Sequence, residues 1–348
     1  ALGMTLPGSS TIPAVFTDKI VSCRQMGSRI VQMVYEDLRP SKIMTRKALE
    51  NAIRMDLAIG GSTNAVLHIP ALANELGIDL TADEFEKFNR TTPCIANVRP
   101  SGIYAVDDLH FAGGVPQLFK QLESLVHKEC LNVNGQTLGE ILEHVKDAPN
   151  DVIRTVNNPI CKDGGLSILK GNLAPNGSVI RSSTIKESMQ HFRGTAKVYS
   201  SDSEAHKAII NEDVKPGDVV VVRYVGPVGA PGMVEIMEAT EAIVNLGLDE
   251  SVSLITDGRF SGFCHGPIIG HVSPEAANGG PIALVENGDI IEIDIPNRSL
   301  KLEVSDEELA KRREKLVLPE PRVKKGFMRT YAMNCLPPER GAAMQKWD

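Results

Sequence analysis

No apolar run in this 348-residue sequence approaches the ~20 residues a helix needs to cross a bilayer, and no signal peptide is visible. A membrane or secreted protein is therefore not expected, and the cytoplasm is the default compartment. Cysteine is sparse and scattered: Cys23, Cys94, Cys130, Cys161, Cys264 and Cys335 include no CxxC pair. That spacing speaks against a disulfide framework and against a zinc site, and the eight histidines show no HExxH pattern. Positive charge is not in excess either. Lys and Arg number 37 against 44 Asp and Glu, a formal net charge of −7, so no broad attraction for nucleic acid is expected. The densest basic cluster, Lys311-Arg312-Arg313, lies beside Glu307, Glu308 and Glu314 and reads as a solvated helix face. Internal repeats and low-complexity tracts are absent.

What is present is an ordinary globular composition, 42% apolar and 23% charged, in a chain long enough for two domains. The opening ALGMTLPGSS starts at Ala1 and reads as mid-domain sequence, so a longer parent chain is expected. Residues 1 to about 150 are mainly helical in pattern. Ile20, Ile30, Val31 and Val34 recur at helical spacing up to Leu38, before Pro40. Further helices are predicted over 46–58, stopped by Gly60-Gly61, and over 65–76, with Pro70 inside. Thr81 with Glu84 and Thr137 with Glu140 are capping-box patterns. Pro116 suits the first turn of a helix carrying Leu118, Leu122 and Leu125, and Asn134-Gly135 signals a tight turn.

The texture changes near Pro149. Short β-branched runs follow over 166–169, 178–181, 196–199, 219–224, 252–255, 282–285, 290–295 and 300–304, with helices predicted near 204–210, 234–246 and 306–316. Many short strands with interspersed helices predict an α/β domain of barrel-like or sandwich form over 151–348.

Four glycine-rich segments carry polar groups that could do chemistry: AIGGSTN (58–64), GGLSILKGNLAP (164–175), GPVGAPGMVE (226–235) and TDGRFSG (256–262). In the first, Ser62, Thr63 and Asn64 lie between two helical patterns. Their amides could face an anion at a helix start, or Ser62 or Thr63 could act as a plain helix cap. The segment is not GxGxxG, which weakens a nucleotide reading. Glu235 follows a glycine–proline loop and opens the helix predicted near 234–246. Its carboxylate could favour the helix dipole or ligate a hard cation such as Mg2+. Ser261 follows the strand over 252–255 and could project into a cleft or simply close a turn. Arg259, two residues before it, excludes the GxSxG nucleophile elbow. Cys264 and His265 come next. His265 and His271, six apart, do not share a helix face and read as separate polar contacts, and Cys264 reads as a small buried group.

Together, AIGGSTNAVLHIPALANELGI, GGLSILKGNLAPNG, GAPGMVEI, TDGRFSG, HGPIIGHVSPEA and GGPIALVENGDIIEIDIPNR strongly resemble the dihydroxy-acid and 6-phosphogluconate dehydratase family, in order and over nearly the whole chain. The resemblance implies a fold: residues 1–150 as the helix-rich tail of an N-terminal α/β domain, and 151–348 as a mixed β-barrel of the swivelling type. It implies dehydration of a 2,3-dihydroxy acid to a 2-keto acid, with an iron–sulfur cluster, [2Fe-2S] in this branch, and Mg2+. The cluster cysteines of the family precede the segment matched here, and none of the six cysteines corresponds to them. Glu235 matches the family's metal-ligand glutamate and Ser261 its catalytic serine. Ser62, Thr63, Asn64, Arg259, Cys264 and His265 are carried as substrate-contact candidates. The small-molecule hydroxy acid is the expected ligand, and a homodimer the expected assembly.

HGPIIGHVSPEA looks like the dihydroxy-acid branch. Phe263-Cys264 and the tail MNCLPPER (333–340) depart from the common pattern, which leaves a sugar-acid dehydratase as the alternative. A non-catalytic fragment that needs its N-terminal portion is the other.

Overall fold

The structure, a computed structural model, describes residues 1–261 and 265–345. Along the first half run helices α1 (Thr17–Tyr35), α2 (Pro40–Ile43), α3 (Arg46–Ala58), α4 (Thr63–Glu75), α5 (Asp83–Asn89), α6 (Val106–Phe111), α7 (Gly114–Gln121) and α8 (Leu138–Glu143). The second half holds β1 (Ser167–Leu169), β2 (Gly177–Ile180), β3 (His191–Tyr199), α9 (Asp202–Ile210), β4 (Asp218–Val222), β5 (Glu235–Ile236) and α10 (Glu238–Asn245). It continues with β6 (Ser253–Thr256), β7 (Arg259–Phe260), β8 (Ile268–Ser273), β9 (Ile290–Asp294), β10 (Ser299–Leu302), α11 (Asp306–Lys315) and α12 (Phe327–Asn334). Two compact units result, and neither is contiguous. One comprises residues 1–61, 75–79 and 87–165; the other comprises 62–74, 80–86 and the described residues from 166 onward.

In the first unit, helix formation follows the local signals. Thr45 accepts from the Ala48 amide and caps α3, and both halves of the Thr137–Glu140 capping box form at α8. The core joins Met55 and Ala58 of α3 to Leu118 and Phe119 of α7 and to Leu122, Ile95 and Ile153. Helix α1 follows its predicted period but not the usual consequence. Ile20, Ile30, Val31 and Val34 are each more than half exposed, while its buried residues are Ser22 and Met33. At 100° per residue the apolar stripe faces away from the side on which the helix packs. Helix α6 carries no strong periodic signal and was not anticipated.

The second unit is built on a mixed sheet in the order β1-β2-β8-β6-β4-β3-β9-β10. Its centre, β3-β4-β6-β8, is parallel, and the flanking pairs are antiparallel. Lys170 donates to Arg298 O and accepts from Leu300 N, both at 2.9 Å, which joins the two edges and nearly closes a barrel. Such closure removes free strand edges. Strand β4 reads DVVVV and is buried throughout, as a central parallel strand covered on both faces requires. Val219, Val221, Ile255, Ile269, Ile291 and Leu300 fill the interior.

Two sequence readings are corrected here. Residues 282–285, read as a strand, form a 3-10 turn over Pro281–Leu284, because Pro281 sets a turn and Arg223 Nη1 takes up the Ala283 and Val285 carbonyls. The helix read over 234–246 starts later, at Glu238. Its first amides, with that of Met237, bond to Asp202 rather than leaning on Glu235. Among the described residues no helix is long and apolar enough to cross a membrane.

Candidate active site

A two-stranded parallel ribbon in the second unit organises the candidate residues. Strand β5 pairs with β7 in the register Glu235–Arg259 and Ile236–Phe260. Register partners point to the same side, and side chains two apart on a strand share a face. Ser261 is the first residue beyond β7, two positions after Arg259. Glu235 and Ser261 are both half-buried. Among the described residues the Glu235 carboxylate has no hydrogen-bond or ion-pair partner.

Arg259 ties this ribbon to its surroundings. Its Nε donates to Met233 O at 2.8 Å, and its Nη1 donates to Asn64 Oδ1 at 3.2 Å. The guanidinium thus fixes the segment entering β5 and the first turn of α4. Asn64 is drawn to the ribbon by this bond. Thr63 starts α4 but is buried, and Ser62 is half-buried just before it. One turn on from Asn64, His68 is held below its ordinary 6.5 by partial burial and by the nearby charge of Arg259. His265 is exposed and lines a separate surface cavity with Lys186, Asp249 and Glu250. Cys264 lies outside the described residues.

The loop that delivers Glu235 is irregular and tightly packed. Tyr224 and Met233 adopt left-handed backbone, at φ 65° and 56°. A Cβ on Gly258 would meet Val234 O at 2.9 Å, so only glycine lets the TDGRFS segment approach that loop. Two buried acids lie against it. Asp257 accepts from the amides of Tyr224, Val225 and Ala276 at 2.9–3.1 Å. Glu275 accepts from those of Val228 and Gly229 at 2.9–3.1 Å. Burial pushes Glu275 up to about 7, although its amide donors pull the other way. Burial also raises Asp257. Behind the ribbon, His271 of β8 is buried at φ 55°, its amide bonded to Gly258 O. Neither ring nitrogen has a partner among the described residues, and burial with the charge of Arg259 drives the imidazole down to about 3.

Sequence reasoning overlooked Asp257 and Glu275, and its reading of His271 as a polar contact is corrected: the ring is buried with no hydrogen-bond partner among the described residues. A usable signal existed for the two acids. Each lies within two residues of the end of a buried strand, LIT-D and HVSP-E, where a carboxylate reads as a buried acceptor for backbone amides.

Comparison with known proteins adds the family. Residues 151–342 match the C-terminal, and residues 1–141 the N-terminal, description of the dihydroxy-acid/6-phosphogluconate dehydratases. The chain belongs to the dihydroxy-acid/6-phosphogluconate dehydratase family. It is similar to the dihydroxy-acid dehydratase of Ignicoccus hospitalis, at 49% identity over 99% of this chain and 63% of that protein. It is similar also to those of Caldanaerobacter subterraneus (45%; 99% and 63%) and Archaeoglobus fulgidus (49%; 99% and 62%). The chain thus spans a little under two thirds of the length of these curated relatives.

The donor set suits the two cofactors that the family resemblance implies to different degrees. Glu235 offers Mg2+ one unengaged, half-exposed carboxylate of the hard oxygen type it prefers. An iron–sulfur cluster needs several thiolates together. Among the described residues no group of three His, Cys, Asp or Glu side chains is arranged to hold a metal. The described cysteines do not fit a cluster.

Proposed function

We propose that the parent polypeptide is a hydro-lyase that converts a 2,3-dihydroxy carboxylic acid to a 2-keto acid, with Glu235 as a cation ligand and Ser261 as the base. A dihydroxy acid of branched-chain amino acid synthesis is the substrate proposed, and a cytoplasmic homodimer the working form. What supports the reading is the register of β5 on β7, with Glu235 opposite Arg259 and Ser261 the first residue after β7.

The chemistry sets two demands. The C2 proton, α to a carboxylate, is weakly acidic, and a serine hydroxyl is too basic to ionise unaided. Mg2+, when bound, supplies positive charge toward the substrate carboxylate and 2-hydroxyl. Glu235 is the residue of this chain that would hold it. Positive charge near Ser261 favours the ionised oxygen, which takes the C2 proton and returns to the neutral hydroxyl. Arg259, bonded to Met233 O and Asn64, braces the ribbon that carries Glu235 and leads into Ser261. The 3-hydroxyl leaves with the C3–O electron pair and takes up a proton to become water, and the enol that remains tautomerises to the 2-keto acid.

The test is Ser261→Ala in the parent polypeptide, assayed for keto-acid formation from 2,3-dihydroxyisovalerate and from aldonic acids. Loss of turnover with an unchanged fold and iron content is expected, and normal turnover dismisses the serine. Wild-type preference for an aldonic acid would replace the substrate with a sugar acid. Glu235→Gln is expected to raise the Mg2+ requirement; an unchanged Mg2+ titration removes Glu235 from the metal shell.

A further inference from the structure

Between β4 and β5 the chain makes a loop with three glycines and two prolines that no regular element holds in place. Its exposed chemistry depends on where it ends, because Glu235 is the first residue beyond it. Most of its backbone donors have no ladder partner and must be satisfied individually. Four of them, the amides of Tyr224, Val225, Val228 and Gly229, are taken by the two carboxylates of Asp257 and Glu275.

These acids are unusual in their setting. Asp257 is 0% exposed and Glu275 1% exposed. Among the described residues neither has a cationic partner. A buried carboxylate without a cation is costly unless several donors converge on it. Here those donors belong to the loop. Asp257 immediately precedes the turn into Arg259 and Ser261, and it also accepts from Ala276, next to Glu275. The two acids therefore link the loop that carries Glu235 to the segment that carries Ser261. From Gly229 onward the path is short: Ala230 N bonds Gly226 O, Met233 N bonds Ala230 O, and Met233 O accepts from Arg259.

We infer that Asp257 and Glu275 are positioning residues, a paired carboxylate clamp on the backbone of 224–229 that sets Glu235 against Ser261. The inference rests on the dehydratase reading above and deepens it. The clamp works through ionised carboxylates, so its Glu275 arm is complete only above the pH of about 7 at which that group gives up its proton in the folded chain. Asp257 uses both oxygens for three amides, and Glu275 both for two. An Asn or Gln of the same shape keeps one oxygen and turns an NH2 against an N–H donor, so the loop must move. A Cβ on Gly226 would lie 2.6 Å from Glu275 Oε2, so the carboxylate already sits at closest approach to the loop.

The experiment compares wild type, Glu275→Gln and Asp257→Asn in the parent polypeptide by amide exchange and by the Mg2+ dependence of turnover. In wild type the amides of 224, 225, 228 and 229 are expected to be protected although they lie in a loop. In Glu275→Gln that protection is lost, and the Mg2+ requirement rises or kcat falls by about 10- to 100-fold, with thermal unfolding still cooperative. Glu275→Asp, which keeps the charge but withdraws it by one methylene, shows the same change to a smaller extent and serves where the amide variants do not fold. A folded Glu275→Gln or Glu275→Asp with wild-type Mg2+ requirement and kcat overturns the inference, as do four wild-type amides that exchange like free loop. Ser261→Ala separates the two ideas. If it remains active the dehydratase reading fails while the exchange data still report the clamp. If it is inactive and the Glu275 variants behave as wild type, only the clamp fails.

Discussion

Replacing His271 by Asn should flatten the acid side of the stability curve. The histidine is 5% exposed, has no ring hydrogen bond among the described residues, and faces the charges of Arg259 and His68. Burial lowers it from the ordinary 6.5 to about 3. Below 6.5 the unfolded chain takes up a proton that the folded chain refuses, so stability falls as the pH drops from 6.5 toward 3. That gap, at about 1.4 kcal/mol per pH unit, amounts to about 5 kcal/mol in full, and to about 3 kcal/mol by pH 4.5. Asparagine is the apt substitute because it does not titrate and tolerates the left-handed backbone at φ 55°. Urea unfolding at about pH 7.5 and about pH 4.5 measures the effect in both proteins. Wild type should lose roughly 3 kcal/mol more than the His271→Asn variant across that interval. Other titrating groups cancel in the difference. Parallel losses in the two proteins would refute the claim that a buried neutral imidazole governs this part of the curve.

Glu275 acts in the opposite sense. With its carboxyl raised from 4.5 to about 7, the folded chain holds a proton that the unfolded chain releases, so its contribution declines as pH rises through that window. Glu275→Gln should remove a slope of about 3 kcal/mol, read from urea unfolding at about pH 5 and about pH 8. Gly171→Ala should loosen the barrel seam, since the new Cβ would meet Leu300 O at 2.0 Å. A cost of about 1–3 kcal/mol is expected, with faster amide exchange at Lys170 and Leu300. Thr137→Ala breaks the α8 capping box and should cost about 1 kcal/mol in chemical denaturation.

Much of the local structure was legible in the residues. The cap at Thr137 and the strands at 219–222 and 290–294 depend on neighbours within a few positions, where spacing and side-chain chemistry decide. Strand β8 was overlooked because glycine and a left-handed histidine interrupt its apolar run. The start of α10 was misread because the group that caps it, Asp202, lies 35 residues upstream of Met237.

The sequence by itself determined where helices and strands could form, which loops had to be glycine, and which carboxylate and hydroxyl the family pattern singles out. Tertiary structure decided the rest. It set the pairing of the two-residue strands that carry Glu235 and Arg259, the bond from Arg259 to Asn64 across 195 positions, and the burial of Asp257, Glu275 and His271. It also decided that the apolar stripe of α1 would not be its packed face. The reason is one of range. Periodicity and caps are set by bonds a turn or less apart, whereas desolvation and pairing depend on which distant segments come together. That information is spread over the whole chain and has no local signature.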